Sequence, residues 1–417
     1  MRVCFTHLGC KLNQAETERF ARDFLAAGHQ VVVSLDEADL HVVNSCTVTH
    51  TAARSSRKAA ARGRRPGLRT VLTGCSAGEA SGADLVVPNS DKERLLERVQ
   101  AAFPEMDRES REIPVPYVPL PFGNTRALLK VEDGCNMRCA FCIIPQTRGR
   151  QRSRPPAEVV AEARSLADAG FQEIVVTGVQ ISAYRQDGHG LFELVRELLR
   201  ESGAPRLRLT SIAPWDLDER LLDLWSDARL CRHLHLSLQS GATATLRRMR
   251  RPYTAEAYAR LLERVRAAIP GVAVTTDVIA GFPGETAAEF AESLAFVAAA
   301  GFARVHAFPF SPRPGTEAAD LPDPVHPAEI RGRMEQMLAA AAQAEADFRR
   351  AALGRRETVL WERPRDGMGQ GLTDNYIRVF SPEGAALWNR FSEVELVELA
   401  GDGMLGRSAR ERTAPRS

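Results

Sequence analysis

Short apolar runs alternate with segments of helical composition along the first 112 residues of the chain. The apolar runs that end near residues 8, 43 and 72 have the length of buried strands. Residues 16–27 and 51–61, which lie between these runs, have helical composition. An alternation of strand and helix predicts a parallel sheet with helices packed on it. We therefore expect residues 1–112 to form an α/β domain of Rossmann-like or flavodoxin-like type.

The alternation continues through residues 113–353. Helical composition is found at 156–169 and 191–201. Strand-like runs are found at 173–178, 206–211, 233–241, 272–279 and 304–308. Repeated strand–helix units predict a parallel β/α barrel, here an incomplete (β/α)6 barrel of TIM type. In such barrels the functional residues lie at the carboxyl ends of the strands.

The pattern changes after a long alanine-rich helix predicted at 327–353. Beyond it, strand-like runs at 357–362, 376–380 and 391–397 are separated by glycine-rich turns. Short strands joined by such turns predict a small antiparallel β-barrel, similar to the OB type of binding domain. We expect residues 354–417 to form this third domain, so the whole chain is predicted to be a multidomain α/β protein.

The composition is that of a globular protein, with 44% hydrophobic and 26% charged residues among 417. No apolar run approaches the roughly 20 residues that span a bilayer, and the N-terminus enters a strand-like pattern without the apolar segment of a signal peptide. We therefore expect a cytoplasmic protein without a membrane partner. Disulfides are rare in that compartment, so the eight cysteines need another explanation.

Cys135, Cys139 and Cys142 are set four and three residues apart in one short segment. Three thiolates can hold three irons of a 4Fe–4S cluster and leave the fourth iron open for chemistry. A structural zinc site usually has four protein ligands, and this segment offers three. Three buried structural cysteines are the other alternative. The spacing favours the open cluster.

Cys10, Cys46 and Cys75 each follow a strand-like run. The carboxyl ends of parallel strands meet at one edge of a sheet, where ligands commonly bind. We therefore expect these three thiols to converge and to share a second metal cluster. Three independent buried thiols are the alternative, because free cysteine is commonly buried. Cys4 and Cys231 lie in or beside strand-like runs and are expected in the core.

The spacing of the three close cysteines, with the aromatic Phe141 before the last of them, resembles the signature of radical S-adenosylmethionine (SAM) enzymes. The resemblance implies that the amine and carboxylate of SAM bind the open iron. It also implies that an electron from the reduced cluster cleaves SAM to a 5′-deoxyadenosyl radical. Cys135, Cys139 and Cys142 would then be the catalytic ligands.

Further motifs resemble the methylthiotransferase family within that superfamily. They are LGCKLNQ at 8–14, NSCTVT at 44–49, TGC at 73–75 and IIPQTRGRQRSR at 143–154. The resemblance covers nearly the whole chain and implies two 4Fe–4S clusters, the auxiliary one held by Cys10, Cys46 and Cys75. It also implies that residues 1–112 form the methylthiotransferase N-terminal domain and that residues 113–353 form the radical SAM core. Residues 76–84 depart from the family, since they are short and rich in glycine and alanine.

Several residues resemble the SAM contacts of the superfamily. Gly281, Phe282, Pro283 and Gly284 form a turn between a predicted strand and a predicted helix, and its glycines permit close backbone approach to a ligand. The remaining residues stand at the ends of predicted strands; they are Thr177, Gly178, Ser237 and Gln239. Turn and rim packing would also explain these residues.

Three basic sets suggest contact with RNA, although the net charge is only +2. The sets lie between Arg54 and Arg69, between Arg148 and Arg154, and between Arg247 and Arg251. Solvated surface is the alternative for any one set, and Arg150 and Arg154 could instead order the cysteine loop. The segment 371–379 resembles the TRAM domain, an RNA-binding module of tRNA-modifying enzymes.

The resemblance implies a substrate and two partners. Three substrate classes are found in the family, and the segments 10–14 and 371–379 look most like the class that methylthiolates C2 of N6-threonylcarbamoyladenosine at position 37 of tRNA. The partners would be the tRNA anticodon stem-loop and a reducing protein such as flavodoxin, with no role for DNA. Isopentenyladenosine in tRNA, a ribosomal-protein aspartate, and a non-catalytic RNA-binding iron–sulfur protein are the alternatives.

Overall fold

The computed structural model describes residues 1–77, 82–106 and 125–408. Its first sheet has five parallel strands, β1 (Arg2–His7), β2 (Gln30–Val32), β3 (Leu40–Ser45), β4 (Arg69–Gly74) and β5 (Leu85–Val86). They lie in the order β2-β1-β3-β4-β5. Helices α1 (Lys11–Ala26), α2 (His50–Arg62) and α3 (Leu95–Ala102) accompany the sheet. Phe24, Val42, Val71 and Val99 are buried together in its core, which confirms the predicted α/β domain.

Helix α1 begins earlier than its composition predicts. Cys10 is the N-cap residue with an extended backbone, and the backbone N–H of Gln14 donates to its carbonyl at 3.2 Å. Three of the four residues in the first turn, Lys11 to Gln14, are polar, so periodicity alone does not reveal it. Cys10 therefore lies at the start of a helix, and Lys11 is the first residue of that helix.

The middle of the chain is an open barrel. Its strands are β6 (Arg126–Lys130), β9 (Glu173–Thr177), β10 (Leu207–Leu209), β11 (Ser211–Ile212), β12 (His233–Leu236), β13 (Ala273–Ala280) and β14 (Arg304–Pro309). A short antiparallel pair, β7 (Glu132–Asp133) and β8 (Arg152–Ser153), flanks the cysteine loop. The helices are α4 (Ile144–Arg148), α5 (Pro156–Asp168), α6 (Leu191–Glu201), α7 (Thr243–Arg248), α8 (Ala255–Ala268), α9 (Ala287–Ala299) and α10 (Pro327–Arg350).

The parallel strands run side by side in the order β6-β9-β10 and β11-β12-β13-β14. The run expected at 206–211 is divided into β10 and β11, because the backbone at Thr210 turns its N–H and its hydroxyl to the Val176 carbonyl. The run expected at 233–241 ends at Leu236. With β10 and β11 as one position the barrel has six strands, which confirms the incomplete (β/α)6 barrel. Strands β6 and β14 form its two open edges.

Alternate residues of the barrel strands face opposite sides. Leu234, Val274, Val278 and Val305 belong to the apolar core beneath the helices. The intervening positions face the interior of the barrel and are mostly polar; they include Arg208, His233, His235, Thr275, Asp277 and His306. Ala15 of α1 packs against inward-facing Leu128 and Val175, so the first domain covers the open side of the barrel.

The C-terminal domain is a closed five-stranded barrel. Its strands are β15 (Arg356–Trp361), β16 (Gly369–Thr373), β17 (Arg378–Ser381), β18 (Phe391–Ala400) and β19 (Gly403–Ser408). The sequence revealed only three of them, because β16 and β19 contain glycines, which strands usually exclude. The expectation of an antiparallel barrel is wrong at one pair, since β17 and β19 are parallel.

The predicted limit between residues 112 and 113, and part of the stretch 76–84, lie outside the described residues. The limit between residues 353 and 354 stays a prediction; α10 ends at Arg350 and β15 begins at Arg356. In the described part of the chain, no helix has both the length and the apolar character needed to cross a bilayer.

Candidate active site between two cysteine triads

The loop that carries Cys135, Cys139 and Cys142 leaves the barrel after β7. Gly134 has a left-handed backbone (φ +76), and a Cβ there would lie 2.2 Å from the Arg150 carbonyl oxygen, so this position requires glycine. The Cys135 N–H donates to the Gly149 carbonyl at 3.1 Å, and the Cys142 N–H donates to the Cys139 carbonyl at 3.1 Å. These contacts fold the loop back on itself and bring its thiols together.

Burial governs the chemistry of these thiols. It raises the pKa of Cys142 to about 12, and it raises the pKa of Cys135 as well. The Arg251 guanidinium donates a hydrogen bond to the Cys139 sulfur at 3.4 Å. Thiols of this kind lose their protons when they bind a metal, which stabilises the thiolate directly. This set of soft thiolate ligands therefore fits an iron–sulfur cluster.

The second triad lies at the carboxyl edge of the first sheet. Cys10, Cys46 and Cys75 follow β1, β3 and β4, which are neighbours in the parallel sheet. Gly9 (φ +88) lies so close to Cys46 that a Cβ there would be 2.5 Å from its sulfur. Burial raises the pKa of Cys46 to about 11, and the nearby Cys75 and Cys10 add to this shift. The three thiols are thus near enough to influence one another electrostatically.

Among the described residues, no three His, Cys, Asp or Glu side chains form a group that could hold a single metal ion. The assignment of the two triads as cluster ligands therefore stays a prediction. Cys4 and Cys231 are buried, as expected of core residues.

A buried ionic network joins the two triads. Nη1 of Arg148, at the end of α4, lies 2.9 Å from Oε1 of Glu16 and 2.8 Å from Oδ1 of Asp133. Nη2 of the same guanidinium donates to Oδ1 of Asn13 at 2.5 Å. Asn13 in turn donates to the Ser45 carbonyl at 2.9 Å, directly before Cys46. Arg148 thus connects the loop of the first triad to the segments that carry Cys10 and Cys46.

Two lysines complete this network. Lys92 lies 2.6 Å from Glu16 and 2.7 Å from Asp133, and Lys130 lies 3.0 Å and 2.9 Å from the same two carboxylates. Burial alone would raise the pKa of Glu16, but Arg148, Lys130 and Lys92 outweigh burial and hold its pKa well below the usual range. Both carboxylates are therefore ionised at neutral pH, and the network fixes the first domain against the barrel.

The residues that resemble SAM contacts lie around the same end of the barrel. Thr177 ends β9, while Ser237 and Gln239 follow β12. Gln239 has a left-handed backbone (φ +68) and its N–H donates to the Asp277 carbonyl at 2.8 Å. Gly178 lies against Glu132, where a Cβ would be 2.3 Å from the carboxylate. At Gly178 the backbone therefore packs so closely on Glu132 that a larger residue would not fit.

The glycine turn packs directly on the cysteine loop. Phe282 is fully buried beside Ala140 and Met249, and Phe141 packs on the same apolar cluster. Gly281 has a left-handed backbone (φ +77) and donates its N–H to Glu285 at 2.7 Å. Pro283 is buried and Gly284 also has a positive φ of 72°. The structure therefore brings the predicted turn, Phe141 and the first triad together, whereas their contact with SAM stays a prediction.

Glu132 is a site residue that the sequence analysis missed. It is completely buried, and Oε1 accepts the Gln180 N–H at 2.5 Å. Oε2 has no hydrogen-bond partner in the described structure. An orphaned buried carboxylate oxygen beside Gly178 suits the ammonium group of a ligand such as SAM. Its inward position on β7, next to Asp133 and Cys135, is the signal that could have identified it.

Replacing Glu132 with glutamine should remove a pH-dependent component of stability. Burial raises the pKa of Glu132 to about 7, so the folded chain binds a proton that the unfolded chain has already released. The free energy of unfolding of the wild-type chain, prepared without clusters, should therefore fall by about 1.4 kcal/mol between about pH 6 and about pH 8. The variant should lose less over this interval. Urea denaturation at both pH values measures the difference, and equal losses in both proteins would contradict the assignment.

The three basic sets differ in the structure. Arg54, Arg57, Lys58 and Arg62 are exposed on α2. In the second set, Arg148 is buried and Arg154 pairs with Glu162 at 2.6 Å. In the third, Arg248 and Arg250 pair with Glu289 and Glu317, while Arg251 contacts Cys139. The prediction of RNA contact is therefore wrong for Arg148, because this residue is buried. Of the three sets, the one on α2 is the most exposed to solvent.

Comparison with known proteins agrees with this architecture. The family model described as "Radical SAM superfamily" matches residues 129–297, and that of "Uncharacterized protein family UPF0004" matches residues 2–92. The threonylcarbamoyladenosine tRNA methylthiotransferase MtaB of Bacillus subtilis (strain 168) is 36% identical over 406 residues, covering 90% of this chain and 89% of the relative. The chain belongs to the radical SAM methylthiotransferase family.

A second relative names a different substrate. The tRNA-2-methylthio-N(6)-dimethylallyladenosine synthase of Cereibacter sphaeroides (strain ATCC 17023) is 35% identical to this chain, and the match covers 95% of this chain and 96% of the relative. The solved structure of the radical SAM methyltransferase TsrM from Kitasatospora setae shares the fold, with a TM-score of 0.53 and 16% identity over 73% of this chain and 72% of that one. The chain is thus a tRNA methylthiotransferase whose family implies a 4Fe–4S cluster and SAM, and its C-terminal barrel fits a TRAM domain.

Proposed function

We propose that this methylthiotransferase converts N6-threonylcarbamoyladenosine at position 37 of tRNA to its 2-methylthio derivative. The observation that carries the proposal is the pair of cysteine triads joined through the buried guanidinium of Arg148. One triad belongs to the barrel and the other to the first domain. Activation of carbon and delivery of sulfur would then take place at the junction between the two domains.

Each triad would hold one 4Fe–4S cluster, Cys135, Cys139 and Cys142 the SAM-binding cluster and Cys10, Cys46 and Cys75 the auxiliary cluster. When bound, the clusters and SAM supply radical generation and methylthio transfer. The chain contributes ligation, orientation and exclusion of water. Arg251 orients the Cys139 sulfur through its hydrogen bond, and Glu132 offers an acceptor for the ammonium of SAM. At Gly178 and Gly281 the protein's own packing requires glycine, because a Cβ would lie 2.3 Å from the Glu132 carboxylate and 2.5 Å from the Ile330 side chain.

The interior of the barrel supports threonylcarbamoyladenosine over its dimethylallyl counterpart. Next to Ser237 the inner face carries His235, Asp277 and His306. A dimethylallyl group is a hydrocarbon, and burying it against these polar groups would cost them their hydration. A threonylcarbamoyl group offers a urea, a hydroxyl and a carboxylate that can replace water as hydrogen-bonding partners. The relatives named above include both substrate classes, so our choice between them rests on this polar surface.

The exposed basic face of α2 would contact the phosphates of the anticodon stem-loop, together with the TRAM-like barrel. Four cations on one helix face can neutralise phosphates and release counterions. The electron needed for each turnover would come from a reducing protein such as flavodoxin.

Nucleoside mass spectrometry of tRNA from a deletion strain tests the proposed substrate. We expect 2-methylthio-N6-threonylcarbamoyladenosine to disappear and its unmethylthiolated precursor to accumulate. Complementation with the wild-type gene should restore the product. Unchanged product in the deletion strain, or loss of 2-methylthio-dimethylallyladenosine instead, would rule out this assignment.

A further inference from the structure

Lys11 follows Cys10 directly and extends into the open side of the barrel. Its ammonium donates a hydrogen bond to the Tyr376 hydroxyl at 3.1 Å and lies 5.2 Å from the centre of that ring. The residue is exposed to solvent. Within the described residues the Tyr376 hydroxyl is its one hydrogen-bonding partner, and no carboxylate pairs with it.

Three cations surround Tyr376, and one of them lacks a carboxylate partner in the described structure. The Arg208 guanidinium lies 3.8 Å from the centre of the Tyr376 ring, and Arg126 donates to the hydroxyl at 3.3 Å. Burial alone would raise the pKa of Tyr376, but Arg208, Lys11 and Arg126 together bring it below its ordinary value. Arg208 is neutralised by Glu173 at 2.6 Å and Arg126 by Glu362 at 3.1 Å. Lys11 is the cation of this group without a counter-charge.

His306 lies on the inner face of β14, within electrostatic range of Lys11. Burial lowers its pKa, and the charges of Arg304, His235 and Lys11 lower it further against the opposing effect of Asp277. Its ring therefore stays neutral and offers one N–H. No hydrogen-bond partner for this ring is found in residues 1–77, 82–106 or 125–408. Its neighbour His235, at 6.4 Å between ring centres, is already bonded to Thr275 and Asp277.

We propose that Lys11 and His306 bind the carboxylate of the substituent on N6 of the target adenine and thereby select the threonylcarbamoyl group. The inference rests on the proposed function and adds the residues that determine its specificity. His235 connects this region to the SAM end of the barrel, since its Nε2 lies 3.4 Å from the Ser237 hydroxyl. The adenine would lie nearer the triads, and its substituent would extend along β12 and β14 toward Lys11.

The chemistry of the pair suits a carboxylate. An ammonium and a neutral imidazole N–H together supply two donors, and hydrogen bonds to an ionised acceptor are roughly twice as strong as neutral ones. A dimethylallyl group supplies no acceptor, so the Lys11 ammonium would lose water without gaining a partner. Such an unpaired charge discriminates against the wrong substituent as well as favouring the right one.

Binding of anticodon stem-loop RNAs tests the inference without any catalytic turnover. The full chain, purified anaerobically with its clusters, is titrated with loops that carry adenosine, threonylcarbamoyladenosine, the amide of the threonyl carboxylate, or dimethylallyladenosine at position 37. We expect the wild type to bind the carboxylate loop roughly ten- to hundredfold more tightly than the adenosine and amide loops. Lys11→Gln should bind these three loops equally, and Lys11→Arg should restore most of the preference.

Lys58→Gln is the matched control, since Lys58 is an exposed lysine on the basic face of α2 that would contact phosphates. It should weaken all loops by the same factor and keep the preference for the carboxylate. If Lys11→Gln also weakens all loops equally while the preference remains, Lys11 contacts a phosphate and the inference is wrong although the proposed function stands. If the wild type prefers the dimethylallyl loop, the proposed function itself is wrong. Iron content equal to wild type verifies that Lys11→Gln is folded.

Discussion

Replacing Cys46 with alanine is expected to abolish methylthiolation while 5′-deoxyadenosine is still formed. Cys46 belongs to the first domain and Cys135, Cys139 and Cys142 to the barrel loop, so each triad can be disrupted separately. Loss of a group that merely supports a metal ligand typically costs 10–100-fold, and loss of a ligand should cost more than about a hundredfold. Product nucleoside and 5′-deoxyadenosine are measured in the same reaction after reduction and addition of SAM.

Two controls make this prediction specific. Cys4→Ala removes a buried thiol from β1 of the same domain and should leave both products near wild-type levels. Cys135→Ala should abolish both products, because it disrupts the triad at which SAM would bind. Parallel loss of both products in Cys46→Ala, or methylthiolation that survives the substitution, would show that the triads do not have separate roles.

Replacing Glu16 with glutamine should strongly destabilise the junction between the first domain and the barrel. Glu16 and Asp133 together face Lys92, Lys130 and Arg148, all with side chains that are more than nine-tenths buried. Without Glu16, the three cations would share Asp133, and of the three Lys130 would also pair with Glu93. Removing one partner of a buried ion pair costs about 3–5 kcal/mol, because it leaves a charge uncompensated. The free energy of unfolding in urea measures this cost.

The sign of the charge imbalance provides the control. Arg148→Met should cost less than Glu16→Gln, since Lys92 and Lys130 would still neutralise Glu16 and Asp133. Glu97→Gln removes a partner from the exposed pair with Arg94 and should have little effect, because solvent screens such pairs. If Arg148→Met were the more damaging variant, the network would be held together by guanidinium hydrogen bonds and the charge-balance explanation would be wrong.

The segments that carry the two cysteine triads could be located from sequence, because the strand-like runs and the cysteine spacing that identify them are local features. Strand-like runs before Cys10, Cys46 and Cys75 predicted neighbouring parallel strands, and the structure places β1, β3 and β4 side by side. The incomplete barrel followed from the repeated strand–helix pattern in the same way. Helix boundaries inside long amphipathic segments were also accessible, as for α6, which spans Leu191–Glu201 as expected.

The residues that join the domains could not be found in this way. From sequence, Arg148 belongs to a basic set that suggests RNA contact, because its neighbours in the chain do not reveal that Glu16 and Asp133 surround it. Lys11 and Tyr376 are 365 positions apart, and no periodicity connects them. Strands β16 and β19 contain glycines whose positions are set by contacts with other strands, such as Gly371 against the Leu360 carbonyl. Long-range packing and charge pairing decide these features, and they become visible only in three dimensions.

Counting iron and sulfide shows whether one chain carries two separate cluster sites. Wild-type protein, reconstituted anaerobically, should contain about eight irons and about eight sulfides per chain. The triple alanine variants of Cys10, Cys46 and Cys75, and of Cys135, Cys139 and Cys142, should each contain about four of both. A wild-type content of about four, or a wild-type content retained after loss of either triad, would contradict the account.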